Sequence, residues 1–576
     1  MSDTRTRDAA GAAAAQTAAR PGRQAIIEQF LADGIDTMFG NPGTVEQGFL
    51  DALEAYPDFH YILTMQETIA VAMGDGHARV TKRPTVVQLH SGVGLGNGIG
   101  MMYQAMRGHA PLVVIAGESG VRYDAMDAQM AADLVSMAKP VTKSATRVVD
   151  PGSLLRVLRR AIKIAATEPM GPVFVCLPAD VLDAPNHEAV VPTGLPSTRV
   201  LPAADELARA AGMLADAERP LIVMGDGVAW SGAQPELERI AERMGAEVWG
   251  ADASEVNLRF DHPLYKGNLG HMFGAASAAV TTRADAILIV GTYVFPEVFP
   301  LFDGVFAPGA RVVHVDLTAY EIAKNFPVDL GLVSDPKLTL AALADVLDER
   351  MSDTAKAAAA DRLAASARAN ERARQQQLDR DRARRDDTPL RASRFMEELA
   401  RQAPADVIVF DEALTVSPDV TRYLVPTLPD HFFQTRGGSL GVGIPGALGI
   451  KLARPEKTVV GFTGDGGSMY TIQALWTAAH HDIAAKFVVC NNQSYMLLKL
   501  NILQYWREQV GIEPHAFPRS FDLHSPVVDF ATLARSMGVA SRRVDHPDQV
   551  EEAVRAMLEH PGPFLVDLVI SDQVPT

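Results

Sequence analysis

Cysteine is almost missing from this chain: Cys176 and Cys490 are the only two in 576 residues, which excludes a disulfide-stapled secreted scaffold. Each sits in an apolar run, at 173–177 and 487–490, that reads as a buried strand, so a reducing, cytoplasmic setting is expected. No run of about 18 uninterrupted apolar residues occurs, and no membrane-spanning helix is expected. Basic side chains are in deficit, with 53 Lys and Arg against 70 Asp and Glu and a net charge of -17. Such a surface repels polyanions, and no basic stripe interleaved with aromatics offsets it, so nucleic acid is excluded as a partner. Residues 1–22, rich in Ala with scattered Arg and Asp, lack both the apolar core of a signal peptide and the acid-free composition of a transit peptide. They read as a disordered arm.

What is present is the composition of an ordinary globular protein, 47% hydrophobic and 21% charged, in a chain too long for one core and suited to about three domains. From residue 23, short apolar runs at 37–40, 61–64, 85–89, 112–117 and 173–177 alternate with helical patterns. That alternation predicts a parallel sheet covered on both faces. A second α/β set starts at 220 and a third at 407. Between them lies a densely charged, Ala-rich stretch that reads as a solvated helical linker. The fold class is therefore α/β in three domains, each a mainly parallel sheet flanked by helices, with units at 23–194, 195–348 and 391–576 and the linker at 349–390. The first and third units share a rhythm consistent with a common fold.

Three Gly-Asp-Gly triplets occur, at 74–76, 225–227 and 464–466, so the triplet alone carries little. The first reads as helix interior and the second as a strand-end turn. The third follows an apolar strand, continues through Gly467 and Ser468 and opens a helical pattern at 471–479. One helix and one strand later, the run 487–490 ends in Asn491-Asn492. In a parallel sheet the carboxyl ends of adjacent strands share one edge, so Asp465 and Asn492 should arrive side by side. With the Ser494 carbonyl they offer three oxygens, enough to complete an octahedral Mg²⁺ shell with two diphosphate oxygens and a water. The amides of Gly466, Gly467 and Ser468, at a helix start, suit the remaining phosphate charge.

Gly464-Asp465-Gly466, twenty-four residues and Asn491-Asn492 resemble the thiamine-diphosphate signature of pyruvate-decarboxylase-like enzymes. The resemblance implies thiamine diphosphate and Mg²⁺ as cofactors and domains in the order pyrimidine-binding, central and diphosphate-binding. It also implies a homodimer or homotetramer in which active sites are shared between subunits. Glu67, in the run Ile62-Leu63-Thr64-Met65-Gln66-Glu67, resembles the carboxylate that activates the cofactor by exchanging a proton with its pyrimidine ring. Arg436-Gly437-Gly438-Ser439-Leu440-Gly441 resembles the loop that bends the cofactor, the Gly438 carbonyl accepting from its amino group and Leu440 wedging between its rings. Asn97, Thr415, Ser417, Gly464 and Tyr495 complete the implied cofactor contacts.

Asn41-Pro42-Gly43-Thr44 and the glycine series His90-Ser91-Gly92-Val93-Gly94-Leu95-Gly96-Asn97-Gly98 are read as loops on the edge that holds Glu67. They resemble benzoylformate decarboxylase more than pyruvate decarboxylase, and they make His90 and Thr44 candidate catalytic residues: His90 to guide a substrate carboxylate and later move protons. The only adjacent histidine pair, His480-His481, reads as a capping or surface feature. Thr44 stands where benzoylformate decarboxylases carry serine, and 292–300 lacks their second active-site histidine. The leading expectation is non-oxidative decarboxylation of a 2-oxo acid, with a hydrophobic or aromatic acyl group favoured by the apolar run 496–506. The alternatives are a carboligase like acetolactate synthase or a 2-hydroxyacyl lyase, with aldehydes among their substrates, and a catalytically silent regulatory subunit. The central unit resembles nucleotide-binding folds at fold level only, which does not establish a bound FAD or other nucleotide.

Overall fold

Three six-stranded sheets, each wholly parallel, carry the chain in the computed structural model, which describes residues 19–574. The first contains β1 (Thr37–Gly40), β2 (His60–Leu63), β3 (Thr85–Leu89), β4 (Leu112–Glu118), β5 (Ser144–Arg147) and β6 (Val173–Pro178), in the order β2-β1-β3-β4-β6-β5. The central sheet contains β7 (Pro220–Met224), β8 (Glu247–Gly250), β9 (Tyr265–Asn268), β10 (Ala286–Val290), β11 (Arg311–Asp316) and β12 (Leu330–Val333), in the order β9-β8-β7-β10-β11-β12. The third contains β13 (Ile408–Glu412), β14 (Phe432–Gln434), β15 (Val459–Gly464), β16 (Lys486–Asn491), β17 (Ala540–Val544) and β18 (Phe564–Val569), in the order β14-β13-β15-β16-β18-β17. Inner strands such as β3, β6 and β10 are buried along their whole length, as strands covered on both faces must be. The first and third sheets have the same topology, with the strand order reversing between their first and third strands. Ligands bind at such switch points, outside the carboxyl ends of the strands.

One apolar cluster runs without a break from the first sheet into the third, through Phe39, Met73, Phe410, Phe433 and Leu448. Its seam is the crossing of two helices, Glu67–Thr81 and Gly443–Ala453. A Cβ at Gly76 would lie 2.1 Å from the Gly446 carbonyl oxygen, and one at Gly449 would lie 1.9 Å from that of Met73. Only glycine lets the two backbones approach this closely. The Gly-Asp-Gly triplet at 74–76 is thus a packing feature, and its Asp75 is buried 3.8 Å from Arg79.

The glycine series after β3 forms the helix Ser91–Arg107 rather than a loop. Its glycines are contact points: Gly98 packs against Leu89 and Val71, and Gly94 against Glu67. The helix expected at 471–479 begins at Ala474. The His480-His481 pair closes the helix Ala474–His480, with His480 exposed and His481 its C-cap residue, and His481 Nε2 also accepts from the Leu63 amide and so joins the third sheet to the end of β2. The charged stretch forms the helix Asp353–Ala383, in which only Ala359 is buried. Within the expected arm, Arg20–Pro21 pairs with Pro185–Asn186 and the helix Gly22–Ala32 starts, while residues 1–18 lie outside the described ones. Among the described residues no helix is long and apolar enough to cross a membrane.

Candidate active site

The carboxyl edge of the first sheet gathers one set of polar side chains. Glu67 follows β2, opens its helix and is buried. Its Oε2 accepts from Asn97 Nδ2 at 3.0 Å, and a Cβ at Gly94 would fall 2.7 Å from Oε1. The helix Ser91–Arg107 therefore presses its small-residue face on Glu67 and offers it one amide. His90, between β3 and that helix, directs Nδ1 to Glu46 Oε2 at 2.8 Å, and Glu46 Oε1 accepts from the Gly117 amide at 2.9 Å. The pairing assigns the proton to Nδ1 and leaves Nε2 with its lone pair. Burial raises the Glu46 carboxyl above the usual range, with the His90 hydrogen bond opposing it. Gly43 lies against the imidazole, where a Cβ would come 1.8 Å from Nδ1. Thr44 opens the short turn Thr44–Glu46 with its side chain exposed.

A second set lies at the carboxyl edge of the third sheet. Asp465 follows β15, and Asn492 follows the adjacent β16. Asp465 Oδ1 accepts from the Gly466 amide at 2.8 Å, whereas Oδ2 is buried without any partner. Burial pushes this carboxyl up to about 6, with the amides of Gly466, Gln493 and Ser494 opposing. An unpartnered buried carboxylate oxygen is costly, and a hard divalent cation satisfies it. Asn492 Oδ1 accepts from the Ser494 amide, and the Ser494 carbonyl accepts from the Met496 amide. Each of these oxygens retains a second lone pair. Gly466, Gly467 and Ser468 form the single turn Asp465–Ser468 after Gly464, and Tyr495 covers Gly466 so closely that a Cβ there would sit 2.4 Å from its ring.

The loop 435–443 lies over this edge. Gly437, Gly438 and Gly441 have φ of 60°, 72° and 89°, the left-handed region that favours glycine. Leu440 is half-buried between them. The buried Glu412, at the end of β13, accepts from the Gly441 amide at 2.6 Å and the Gly443 amide at 2.5 Å. Burial pushes its carboxyl up to about 7 against those bonds. Thr415 lies in the turn Leu414–Val416, and Ser417 opens the next helix with its side chain toward Asp411.

Within one chain the two sets remain separate: among the described residues no hydrogen bond or ion pair links Glu67, His90 or Thr44 to Asp465, Asn492 or Ser494. Each set is rimmed by exposed apolar side chains, Met65 and Val93 at the first and Met469 and Tyr470 at the second. Sequence reasoning missed Glu46 and Glu412. The signals were present, an acid two residues after Thr44 and an Asp-Glu pair ending an apolar strand.

Known proteins resemble the chain along most of its length. Family profiles match residues 20–137 as a thiamine pyrophosphate enzyme N-terminal TPP binding domain, 207–343 as the central domain and 416–568 as the C-terminal TPP binding domain. A benzoylformate decarboxylase of Pseudomonas aeruginosa is 30% identical over 542 residues, covering 93% of this chain and 96% of that protein. A probable acetolactate synthase large subunit of Methanocaldococcus jannaschii is 28% identical over 564 residues, covering 95% and 92%. The crystal structure of a benzoylformate decarboxylase from Polynucleobacter necessarius superposes with a TM-score of 0.82 at 25% identity, covering 96% of this chain and 99% of that one.

Proposed function

The chain belongs to the thiamine pyrophosphate enzyme family, and from that premise we propose that it decarboxylates a 2-oxo acid without oxidation, preferring a hydrophobic or aromatic acyl group. The observation that carries the site assignment is Asp465 Oδ2, a buried carboxylate oxygen without a partner beside Asn492. Asp465, Asn492 and the Ser494 carbonyl would hold Mg²⁺, and the amides of Gly466, Gly467 and Ser468 would hold the diphosphate. Gly464 and Tyr495 shape that cradle, with Thr415 and Ser417 at its rim. Bound there, thiamine diphosphate supplies a nucleophilic carbon and an electron sink for cleavage beside a carbonyl.

The chain's own residues do the rest. The Gly438 carbonyl and Leu440 would hold the cofactor's rings, and Glu67, steadied by Asn97, would hold and deliver a proton at its carboxyl. His90 Nε2, oriented by Glu46, receives and returns a proton at the substrate, with Thr44 beside it. Because the two sets of residues do not meet within one chain and each is rimmed by exposed apolar side chains, the active site is assembled between two copies, the first sheet of one facing the third sheet of the other. A dimer, or a tetramer built from two, follows.

A carboligase reading is favoured by one observation, the lack of any histidine in 292–300. With less proton delivery there, a second carbonyl compound can compete for the reacting carbon. Incubating the holoenzyme with phenylglyoxylate, with and without added benzaldehyde, tests the choice. Release of benzaldehyde and CO₂ without an acceptor supports decarboxylation, and exclusive formation of ligated hydroxyketone would replace it with ligation.

A further inference from the structure

The loop 435–443 has to hold a shape that its own residues do not impose. Gly437, Gly438 and Gly441 all lie in the left-handed region, and glycine crosses between backbone regions more freely than any other residue. The places of the Gly438 carbonyl and Leu440 are therefore set by whatever holds the two ends of the loop. The far end is held from within the third domain: the buried Glu412 accepts from the Gly441 and Gly443 amides, and Thr471 Oγ1 donates to the Gly441 carbonyl at 2.6 Å.

The near end is held from the first domain. Gln104, on the helix Ser91–Arg107, is fully buried, and its Oε1 accepts from the Arg436 amide at 2.7 Å. On the other side its Nε2 faces Asp75 Oδ2 at 3.5 Å. Chemistry fixes that orientation, because a backbone N–H needs the carbonyl end of the side chain and a carboxylate needs the NH₂ end. Asp75 is itself wholly buried in the helix Glu67–Thr81, 3.8 Å from Arg79, so an anion held in place sets the direction of Gln104. The Arg436 guanidinium adds two bonds to the Arg107 carbonyl, at 3.0 and 3.2 Å, at the end of the same helix. Taking away the Gln104 oxygen leaves a buried N–H unpaired two residues before Gly438, and the chain there can escape that cost only by moving.

We propose that Gln104 is a positioning residue for the cofactor site: held by Asp75 and accepting from the Arg436 amide, it fixes the near end of the glycine loop and so the places of the Gly438 carbonyl and Leu440. The inference rests on the assignment of that loop to thiamine diphosphate made above. It differs from a packing role in a checkable way, since bulk at position 104 is not what matters but an acceptor aimed at Arg436.

Amide hydrogen exchange of the full-length protein, read by mass spectrometry with and without thiamine diphosphate and Mg²⁺, reports on 435–443 directly. Gln104→Met and Gln104→Leu each remove the acceptor while keeping an apolar side chain of comparable bulk, and either serves where the other does not fold. The double variant Asp75→Asn with Gln104→Glu interchanges the two groups, so that one carboxylate oxygen still accepts from the Arg436 amide and the other accepts from the amide at position 75. Loss of the acceptor should quicken exchange at 435–443 in the apo-protein about 10- to 100-fold and lower the turnover number of the holoenzyme about tenfold or more, with KM moving less. The near-ultraviolet circular dichroism of the bound cofactor should change with it, and the double variant should recover most of each property. The proposal is overturned if the folded Met or Leu variant exchanges and turns over as wild type does, or if the folded double variant recovers nothing. A wild-type loop that gains no protection from the cofactor would sink the site assignment itself, and the inference with it.

Discussion

Replacing Glu46 by Gln tests how the first half of the site is wired. In the native arrangement one carboxylate accepts from both the Gly117 amide and His90 Nδ1, so the outward Nε2 is an acceptor. Glutamine has a single acceptor oxygen. If that oxygen keeps the buried Gly117 amide, its NH₂ group faces Nδ1, which must then accept, and the ring proton moves to Nε2. The side chain keeps its place and size, but the nitrogen that faces the substrate changes from proton acceptor to donor. A hydrogen bond to a charged partner contributes about 1.5–3 kcal/mol, and at 1.4 kcal/mol per factor of ten the wrong tautomer should slow the proton step about 10- to 100-fold. Turnover number should carry most of the loss, with KM moving less, and cofactor affinity should not change, because Glu46 does not touch the third sheet. The assay is steady-state kinetics, with the ¹⁵N shifts of His90 reporting the tautomer directly. Unaltered kcat together with an unaltered His90 spectrum would refute the orientation argument. A changed spectrum with unaltered kcat would remove His90 from the proton path.

Glu67→Gln should abolish turnover while leaving thiamine diphosphate and Mg²⁺ uptake within a few-fold of wild type, as measured by equilibrium dialysis; unchanged turnover would mean that another group activates the cofactor. Asp465→Ala should do the reverse and lose cofactor uptake, which atomic absorption of the reconstituted protein would report as missing metal. Gly449→Ala forces a methyl group to 1.9 Å from the Met73 carbonyl oxygen and should cost at least about 1–3 kcal/mol. Gly212→Ala, on an exposed helix face where the nearest atom is the end of Arg350 at 3.5 Å, should stabilise by about 0.5–1 kcal/mol; urea midpoints of the same sign for both would contradict the crossing geometry. Glu412, at about 7 against an ordinary carboxyl value of 4.5, binds its proton more tightly folded than unfolded. Its contribution is therefore complete below the unfolded value and lost as pH rises through 7, by at most about 3 kcal/mol. Apo-protein carrying Glu412→Gln should accordingly lose less stability than wild type between pH 5.5 and 8.5, read from denaturation midpoints at each pH.

The parts of this molecule legible in its sequence are those where one local rule decides the outcome. Buried strands such as β3 and β6 are continuous apolar runs because both faces are covered, and Asp465 and Asn492 share an edge because parallel strands point the same way. The glycines were harder to read, because a glycine serves both a turn and a close contact and the sequence does not say which. The run 91–98 looks like a loop, yet it is a helix whose missing side chains admit Glu67 at Gly94 and Val71 at Gly98. The triplet at 74–76 reads correctly as helix interior, but the surface it shapes for another helix, some 370 residues on at Gly446 and Gly449, does not show in the sequence. Glu46 and Glu412 are marked in the sequence as acids at or after strand ends, but their partners, the Gly117 amide and His90 for one and the Gly441 and Gly443 amides for the other, are brought near only by tertiary folding. These long-range contacts share a consequence. The Glu67 helix bears that buried carboxylate at its start and the glycine seam in its middle, so one element ties the first sheet to the third within the chain. On the proposed shared-site reading, each copy would present both half-sites in fixed relation, and pairing two copies would complete two sites at once.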